Sequence, residues 1–336
     1  MSLPWRPARN WGARLHDTAL NGIPAVVLEN ERLRVTVLLP GAHLVEFNDK
    51  RRDLDLAWLA PDAVRPATAG RAGFFDTYPG GWQEVLPNGG APARYGGAPL
   101  DQHDEVAALP WDAAIVADEP HEVAVRLTVH AGRTPLRLAK VLRLRAGEAT
   151  LRVEETLANT APVAVHAMWG QHLAFGRPFL QPGTTLRLPD GVRVLPHPEA
   201  INPARRGVAP GGPYDWPVVP APGGGRTDLS RLPPPGGPSE IVYLTGFAEG
   251  WYELRRPDGV AVRATWDAAV LPYVWLWHEL GDTTGYPWWG RAYVVGVEPF
   301  AGYPTNGLPE AVANGSALAL DGHEQRELAW SIGVVD

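Results

Sequence analysis

The sequence contains no cysteine, and only Lys50 and Lys140 of its 30 basic residues are lysines. Without cysteine the chain forms no disulfide bond, thiolate metal site or cysteine nucleophile. Its formal net charge of -7 does not favour nucleic acid or an anionic membrane surface as a partner. No segment approaches the ~18 consecutive apolar residues of a membrane span, and residues 1–7 lack the basic and apolar regions of a signal peptide. We therefore expect a cytoplasmic protein.

Sustained helical periodicity is also scarce, and the best helical candidate is a short segment near Leu308–Asn314 that Gly315 would end. The chain instead has many short segments in which polar and apolar residues alternate with a period of two, separated by Gly, Pro, Asn and Asp. The predicted strands include 32–37, 122–129, 136–144, 150–157, 163–169, 241–247, 251–255, 260–266, 273–277, 293–298 and 327–332. So many strands predict an all-β fold of the sandwich or barrel class.

One segment, Pro196–Pro238, is dense in proline and glycine. It is long for a connection inside a compact domain, so it is a functional loop, a partly disordered loop or a domain boundary. We favour a loop, because strand-like alternation resumes after it without a change of composition. Large all-β domains exceed the usual size of roughly 100–200 residues as one unit. We therefore expect residues 1–336 to form a single domain, with a Pro/Gly-rich loop at about 196–238.

Three separated polar residues lie where buried strands are predicted to end: His103, His172 and Glu298. Glu298 follows the apolar, β-branched run 293–297. Successive side chains of a strand point to opposite faces, so Glu298 shares a face with Gly296, which would leave room there for a ligand. Partial burial raises the proton affinity of a carboxylate, so Glu298 is a candidate general base near neutral pH.

The two histidines are candidates for proton donation and hydrogen bonding to a ligand. We expect His172 to follow a strand, in a segment that bends between its flanking glycines. Acidic neighbours are expected to orient His103 and to raise its pKa; they are Asp101, Asp104 and Glu105. Each residue also has a structural interpretation: His172 as a core histidine, His103 in a solvated acidic turn, and Glu298 paired with an arginine such as Arg291. The functional interpretation requires the three to meet in one cleft.

Other candidates combine aromatic rings with hydrogen-bonding side chains. The chain has 14 tryptophans, a high number, although most large aromatic residues belong to the core. Alternation along 273–279 places Trp275 and Trp277 on one face and His278 on the other. The candidates for substrate binding are Trp82, Gln83, Glu84, Glu105, Trp169, Trp277, His278 and Glu279.

Together these segments resemble the aldose 1-epimerase family, also called the galactose mutarotases. The order and rough spacing of the matching motifs agree from about Leu28 to Trp330. In chain order, the motifs are Gly81-Trp82-Gln83-Glu84 with Pro87-Asn88, His103-Asp104-Glu105-Val106 with Pro110-Trp111, Glu155-Thr156-Leu157-Ala158-Asn159 leading into Trp169-Gly170-Gln171-His172, and Gly296-Val297-Glu298-Pro299.

The resemblance implies a single large antiparallel β-sandwich of the galactose mutarotase-like type, with a sugar cleft on one sheet and no cofactor. It also implies roles for the three polar residues. Glu298 would be the general base on the anomeric hydroxyl and His172 the general acid on the ring oxygen. His103 would hydrogen-bond the sugar near that oxygen.

Three alternatives stay open. A sugar-phosphate mutarotase would need an arginine cluster, for which Arg71, Arg94 and Arg291 are candidates. A non-catalytic carbohydrate-binding protein could share the fold. A glycosidase would need a second carboxylate beside Glu298, and its candidates are Glu84, Glu105 and Glu279. No spacing of His, Asp and Glu indicates a metal site, and either a monomer or a homodimer is expected.

Overall fold

The computed structural model of the chain describes residues 9–60, 64, 73–201 and 205–335. Within these ranges the helices are short: α1 (Phe74–Thr77), α2 (Leu308–Ala313) and a 3₁₀ turn at Val106–Ala108. None of the described helices is long and apolar enough to cross a membrane. The short helix expected near residue 308 is therefore present, and strands make up most of the regular structure.

The strands fall where alternation predicts them, since each of the eleven predicted segments contains one. The first thirteen are β1 (Arg14–Leu20), β2 (Ile23–Glu29), β3 (Leu33–Leu38), β4 (Leu44–Asp49), β5 (Leu54–Asp55), β6 (Trp82–Val85), β7 (Ala93–Tyr95), β8 (Ala98–Leu100), β9 (Asp112–Glu119), β10 (Glu122–His130), β11 (Leu136–Arg145), β12 (Thr150–Asn159) and β13 (Val165–Ala167).

The second half of the chain continues in the same style. Its strands are β14 (Gly170–Gly176), β15 (Thr185–Arg187), β16 (Arg193–Pro196), β17 (Tyr214–Asp215), β18 (Val218–Pro220), β19 (Arg226–Asp228), β20 (Glu240–Thr245), β21 (Gly250–Arg255), β22 (Ala261–Trp266), β23 (Tyr273–Glu279), β24 (Val294–Phe300), β25 (Leu318–Leu320) and β26 (Gln325–Val335).

Two large sheets contain most of these strands. One has twelve strands in the order β1-β2-β3-β4-β6-β14-β24-β23-β20-β16-β17, with β5 paired to β4. The other has eight strands in the order β15-β21-β22-β26-β12-β11-β10-β9. Their described pairings are antiparallel, as in the hairpins β10–β11 and β21–β22. The predicted antiparallel β-sandwich is confirmed.

The main core lies between the two sheets. It joins Trp82, Leu173 and Val297 of the twelve-stranded sheet to Leu142 and Val153 of the eight-stranded sheet. Burial of such side chains is worth about 25 cal/mol per Å² of apolar surface removed from water. We call the side of the twelve-stranded sheet that lines this core its core face, and the opposite side its outer face.

The outer face carries apolar clusters of its own. One cluster includes Tyr243, Trp275 and Phe300, and another includes Trp58 and Trp288. In a sheet that faced water on this side, alternate residues would be polar. The aromatic residues therefore indicate that the outer face is covered near strands β14, β24 and β23.

The Pro/Gly-rich segment is partly ordered into the fold. Its described residues include the short strands β17, β18 and β19, and β17 pairs with β16 at an edge of the twelve-stranded sheet. Val208, Val219, Leu229 and Leu232 of this segment are buried in the main core.

Candidate active site

Strand register brings the separated polar residues of the sequence into one row on the outer face. β14 and β24 pair antiparallel through Gly170↔Phe300 and Ala174↔Gly296. The same register places His172 opposite Glu298, halfway between these two pairs. On either side, His172 pairs with Gln83 and Glu298 pairs with Trp275. We call Gln83, His172, Glu298 and Trp275, on β6, β14, β24 and β23, the polar row.

His172 lies inside a strand, which differs from the expected bend after one. All of residues 170–176 form β14 and all are buried. Positions 170 and 176 of the strand are glycines because side chains there would collide with Phe300 and Trp58, respectively. The glycines thus allow close packing of aromatic rings rather than a turn.

The carboxylate and the imidazole at the centre of the row face each other directly. His172 Nε2 lies 3.5 Å from Glu298 Oε1, and both residues are buried. The Glu298 carboxylate folds back over Gly296, where an added Cβ would lie 2.1 Å from Oε1. The space expected above Gly296 for a ligand is therefore taken by the carboxylate itself. Gly296 lets that carboxylate reach His172.

Burial controls the protonation of this pair. Desolvation raises the pKa of the Glu298 carboxyl well above its usual value. It lowers the pKa of the His172 imidazole to about 4. Because burial disfavours both charged groups, it favours the form in which the pair holds one titratable proton. One member can then accept a proton while the other donates one.

His103 lies beside the pair, with ring centroids of His103 and His172 5.5 Å apart. The backbone N–H of Gly90 donates to His103 Nδ1 at 3.2 Å. Because Nδ1 accepts, the proton of the neutral ring is on Nε2, which is left as a donor. Burial and the neighbouring His172 hold the pKa of His103 well below its usual value.

The acidic residues beside His103 do not orient it, which corrects the expectation from sequence. The Asp104 carboxylate pairs with the Arg133 guanidinium. The Glu105 carboxylate accepts hydrogen bonds from the backbone N–H of Arg133 and from the hydroxyl of Thr134. Both carboxylates thus fix the 133–134 loop, and the pKa of His103 is lowered rather than raised.

Aromatic rings surround the pair on the outer face. The Trp277 ring is 6.0 Å from the ring of His172, and Trp58 and Trp288 pack against Trp277. From α1 and the residue after it, the Phe74 ring is 4.7 Å from His103 and the Tyr78 ring is 5.5 Å from His172. Of these rings only Trp277 is foreseeable from sequence, because the others reach the site by tertiary packing.

The far end of the row has unmet hydrogen-bonding capacity. Across the described ranges, neither Nε2 nor Oε1 of Gln83 has a hydrogen-bond partner, although Gln83 is only 2% exposed. The same holds for Nδ1 of His43, a buried residue that the sequence did not single out. Buried polar atoms are normally paired, so these atoms mark this end of the row as a place for a ligand.

Comparison with known proteins identifies the family. The model of the family described as "Domain of unknown function (DUF4432)" matches residues 21–207, more than half of the chain. The chain belongs to the DUF4432 family. The match includes Gln83, His103 and His172, whereas Glu298 lies beyond it. A search of curated proteins gives no match.

Solved structures resemble this DUF4432 chain in fold at low sequence identity. A candidate aldose 1-epimerase from Klebsiella pneumoniae has a TM-score of 0.71 at 14% identity, covering 96% of this chain and 87% of its own. A candidate mutarotase from Salmonella typhimurium has a TM-score of 0.63 at 16% identity, covering 96% and 94%. A galactose mutarotase-like protein from Lactobacillus casei has a TM-score of 0.57 at 18% identity, covering 93% and 100%. The resemblance to the aldose 1-epimerase superfamily is thus confirmed at the level of fold.

Three residues suggested for substrate binding face the main core of the DUF4432 chain instead. Trp82 packs on Phe47 and Phe175. Glu84 accepts hydrogen bonds from the indole N–H of Trp169 at 2.7 Å and from the amide of Gln171. Trp82, Glu84 and Trp169 therefore line the core face, on the opposite side of the sheet from His172.

Three further suggested residues have other structural contacts. Glu105 is bound to the 133–134 loop, as described above. His278 pairs in register with Val295, a core residue, and so faces the core, as the alternation along β23 indicates. Glu279 accepts hydrogen bonds from the hydroxyls of Ser239 and Thr283. Of the suggested binding residues, Gln83 lies in the polar row and Trp277 lies beside the row on the outer face.

The part of the chain that the structure describes contains no group of three or more His, Asp or Glu residues arranged to hold a metal ion. Of the suggested phosphate-binding arginines, Arg71 lies outside the described residues. Arg94 donates to the carbonyl of Gly97 on an exposed hairpin.

Proposed function

We propose that this protein is an aldose 1-epimerase, which interconverts the two anomers of a free sugar. The observation that carries the proposal is the buried pair formed by Glu298 and His172, with 3.5 Å between carboxylate oxygen and ring nitrogen. Opening a hemiacetal requires removal of one proton and addition of another at two oxygens on the same carbon. A one-proton acid/base pair of this spacing suits those two adjacent oxygens.

The proposed reaction conserves protons at every step. In the reacting form the shared proton lies on His172. The Glu298 carboxylate then removes the proton of the anomeric hydroxyl, while the His172 imidazolium donates its proton to the ring oxygen, and the C1–O5 bond breaks. The open-chain aldehyde rotates about the C1–C2 bond. Ring closure on the opposite face of the carbonyl reverses both proton transfers and restores the pair. Positioned acid and base groups contribute roughly 10²–10⁴-fold each.

The surroundings of the pair support this chemistry. The Nε2–H of His103 is a donor for an oxygen near the reacting carbon, because its Nδ1 is already occupied by Gly90. Trp277 offers an aromatic face beside His172 on which the apolar C–H face of a sugar ring can pack. Water exclusion by these rings strengthens electrostatic interactions with the bound sugar.

A glycosidase is less well supported, because it needs two carboxylates roughly 5–9.5 Å apart that both face the substrate. The suggested partners of Glu298 are committed elsewhere: Glu84 to Trp169 and Gln171, Glu105 to Thr134, and Glu279 to Ser239 and Thr283. A protein that only binds sugar would not need a buried carboxyl and imidazole, Glu298 and His172, that share one titratable proton.

The test is the rate of exchange between the α and β anomers of several aldoses, measured by NMR saturation transfer. We expect the wild-type protein to accelerate exchange of at least one aldose. Replacing the base in Glu298→Gln, or the acid in His172→Asn, should lower kcat by roughly 10²–10⁴-fold.

Matched controls use the same chemical changes at exposed positions, Glu119→Gln and His130→Asn, on β9 and β10 of the other sheet. These variants should retain wild-type rates. If wild type and both active-site variants exchange anomers at the spontaneous rate on every aldose, the epimerase proposal fails. Saturable sugar binding without exchange would instead support a carbohydrate-binding protein.

A further inference from the structure

The end of the polar row beyond His172 has hydrogen-bonding atoms that the described protein does not use. They are both amide atoms of Gln83 and Nδ1 of His43. Leaving one buried polar atom unpaired costs about 1–3 kcal/mol. Unpaired atoms on both of these residues are better explained by a ligand group that bonds to them than by chance.

Register places the two residues side by side. Leu44 pairs with Trp82 in antiparallel register. His43 is the residue before β4 and Gln83 is the residue after Trp82, so continuing this register by one residue brings His43 opposite Gln83. The two imidazoles of His43 and His172 also interact electrostatically, since a charge on His43 lowers the pKa of His172. His43, Gln83, His172 and Glu298 thus continue one line across the sheet.

The protonation of His43 defines what it can bind. Its Nε2 lies 2.9 Å from the carbonyl oxygen of Ala107, so Nε2 carries the proton and donates. Burial lowers the pKa of His43 to about 4, which keeps the ring neutral at pH 7. Nδ1 is therefore an acceptor with no described donor. Beside it, Gln83 offers two N–H donors and a carbonyl acceptor.

The order of the line fixes which part of a sugar lies there. Neighbouring strands are ~4.8 Å apart, so each step along the row advances by about one substituent of a pyranose ring. With Glu298 at O1 and His172 at the ring oxygen, the next position belongs to C5, the other carbon bonded to that oxygen. In an aldohexose C5 carries the exocyclic C6 hydroxymethyl group.

Resting on the proposed function, we infer that Gln83 and His43 bind the C6 hydroxyl of an aldohexopyranose and so select a free hexose. A hydroxyl both donates and accepts, so it can donate to His43 Nδ1 while it accepts from the Gln83 amide. A C6 phosphate has acceptor oxygens and negative charge instead. The strands β6, β14, β24, β23 and β20 contain neither Lys nor Arg to balance that charge. The nearby ammonium of Lys140, whose charge acts on His43, is already paired with Glu84. An aldopentose or a 6-deoxy sugar would leave His43 Nδ1 and the Gln83 amide N–H unpaired.

The test compares sugars that differ only at C6. One series is D-galactose, 6-deoxygalactose and L-arabinose, and the other is D-glucose, 6-deoxyglucose, D-xylose and glucose 6-phosphate. Sites that hydrogen-bond a substrate hydroxyl reject the analogue that lacks it by as much as roughly 10⁴-fold. We expect kcat/KM for the preferred hexose to exceed that for its 6-deoxy and pentose analogues at least 100-fold, with the 6-phosphate equally poor.

Two variants assign this selectivity to residues. Gln83→Leu removes the amide, and His43→Gln keeps a donor towards Ala107 while removing the Nδ1 acceptor. Each should lower kcat/KM for the hexose at least tenfold and change that for the 6-deoxy sugar less than threefold. If Gln83→Leu does not fold, His43→Gln still tests the inference. Both variants should bind the 6-deoxy sugar as wild type does.

The outcomes separate this inference from the proposed function. If wild type accelerates no aldose, the epimerase proposal fails and this inference with it. If wild type is active but exchanges 6-deoxy sugars or the 6-phosphate as fast as the hexose, the inference alone is overturned. Equal losses on hexose and 6-deoxy sugar in both variants would overturn it too.

Discussion

The two faces of the twelve-stranded sheet treat adjacent polar residues in opposite ways. Glu84 and Gln171 point to the core face, whereas their sequence neighbours Gln83 and His172 point to the outer face. All four residues are buried. Burial alone therefore does not distinguish a structural polar residue from a candidate functional one.

What distinguishes the faces is whether hydrogen bonding is complete. On the core face, Glu84 pairs with the Lys140 ammonium at 3.5 Å and shares the Gln171 amide with Glu155. Trp330 donates to Glu155 at 2.8 Å. Burial and the nearby Glu84 raise the pKa of Glu155 well above its usual value, so the two carboxyls hold a proton between them. On the outer face, the Gln83 amide has no described partner. A satisfied network stabilises the fold, whereas we propose that the unsatisfied Gln83 amide binds a ligand.

The largest expected difference between the faces is in stability at positions 83 and 84. Glu84→Leu would leave the Lys140 ammonium buried without its carboxylate and the Trp169 indole without an acceptor. Breaking a buried pair in this way costs about 3–5 kcal/mol. Gln83→Leu removes only unpaired polar atoms, so its free energy of unfolding should be unchanged or about 1 kcal/mol higher. Urea denaturation of both variants measures this.

The double variant Glu84→Leu/Lys140→Met tests the cause. Because it removes both charges, it should recover most of the stability lost in Glu84→Leu. If Gln83→Leu is destabilised as strongly as Glu84→Leu, the two faces do not differ as we describe.

Much of this fold is predictable from local pattern. Strands such as β11 and β12 alternate strictly because one side of each faces the core, and a period of two follows directly from strand geometry. The candidate residues His103, His172 and Glu298 are also predictable from their motifs. Alternation along β23 places Trp277 and His278 on opposite faces of the sheet, although the sequence suggested both for binding.

The rest depends on tertiary packing that local pattern does not encode. β14 is buried on both faces, so it has no alternation, and its glycines suggest a bend. The sequence Gly-Trp-Gln-Glu at 81–84 does not show which of its side chains face the core. The pairing of β6 with β14 decides this. His43, just before β4, and Tyr78, just after α1, reach the site without any motif. Partners 94 residues apart, such as Tyr78 and His172, meet only in the folded chain.

His278 is an exception on the core face, and its replacement should sharpen the comparison. Its Nε2 has no partner among the described residues, and burial lowers the pKa of the ring to about 4. The unfolded ring, with a pKa near 6.5, takes up a proton first. Folding stability from this residue is therefore full above pH 6.5 and is lost as the pH falls towards 4.

At pH 5 protonation at His278 lowers the free energy of unfolding by about 2 kcal/mol, because a slope of about 1.36 kcal/mol per pH unit acts over about 1.5 pH units. Between pH 8 and pH 5 the free energy of unfolding, measured by urea denaturation, should fall by about 2 kcal/mol less in His278→Leu than in wild type. Equal acid sensitivity of the two proteins would mean that His278 is solvated in the folded state.

The pH dependence of catalysis should report the pair on the outer face. The proposed mechanism requires one titratable proton on His172 and Glu298 together. Below about pH 4, the lowered pKa of His172, a second proton removes the base, and the rate should fall tenfold per pH unit. Above the raised pKa of Glu298 the acid is lost instead. Anomer exchange by NMR, with full recovery on return to pH 7, measures the profile. An acid limb near pH 6.5 would indicate a solvated His172.

The smallest expected effect is that of Tyr78, whose hydroxyl lies 3.4 Å from His172 Nδ1. Burial raises the pKa of Tyr78, so the hydroxyl keeps its proton and can donate to Nδ1. In the neutral ring that contact holds the proton on Nε2, the nitrogen facing Glu298; in the protonated ring Nδ1–H donates to the hydroxyl oxygen instead. One neutral hydrogen bond is worth about 0.5–1.5 kcal/mol, so Tyr78→Phe should lower kcat roughly two- to tenfold. The Phe ring should keep its stacking on Phe74, and unfolding by urea should be unchanged. A loss as large as that of His172→Asn would instead make Tyr78 a direct proton donor to the sugar.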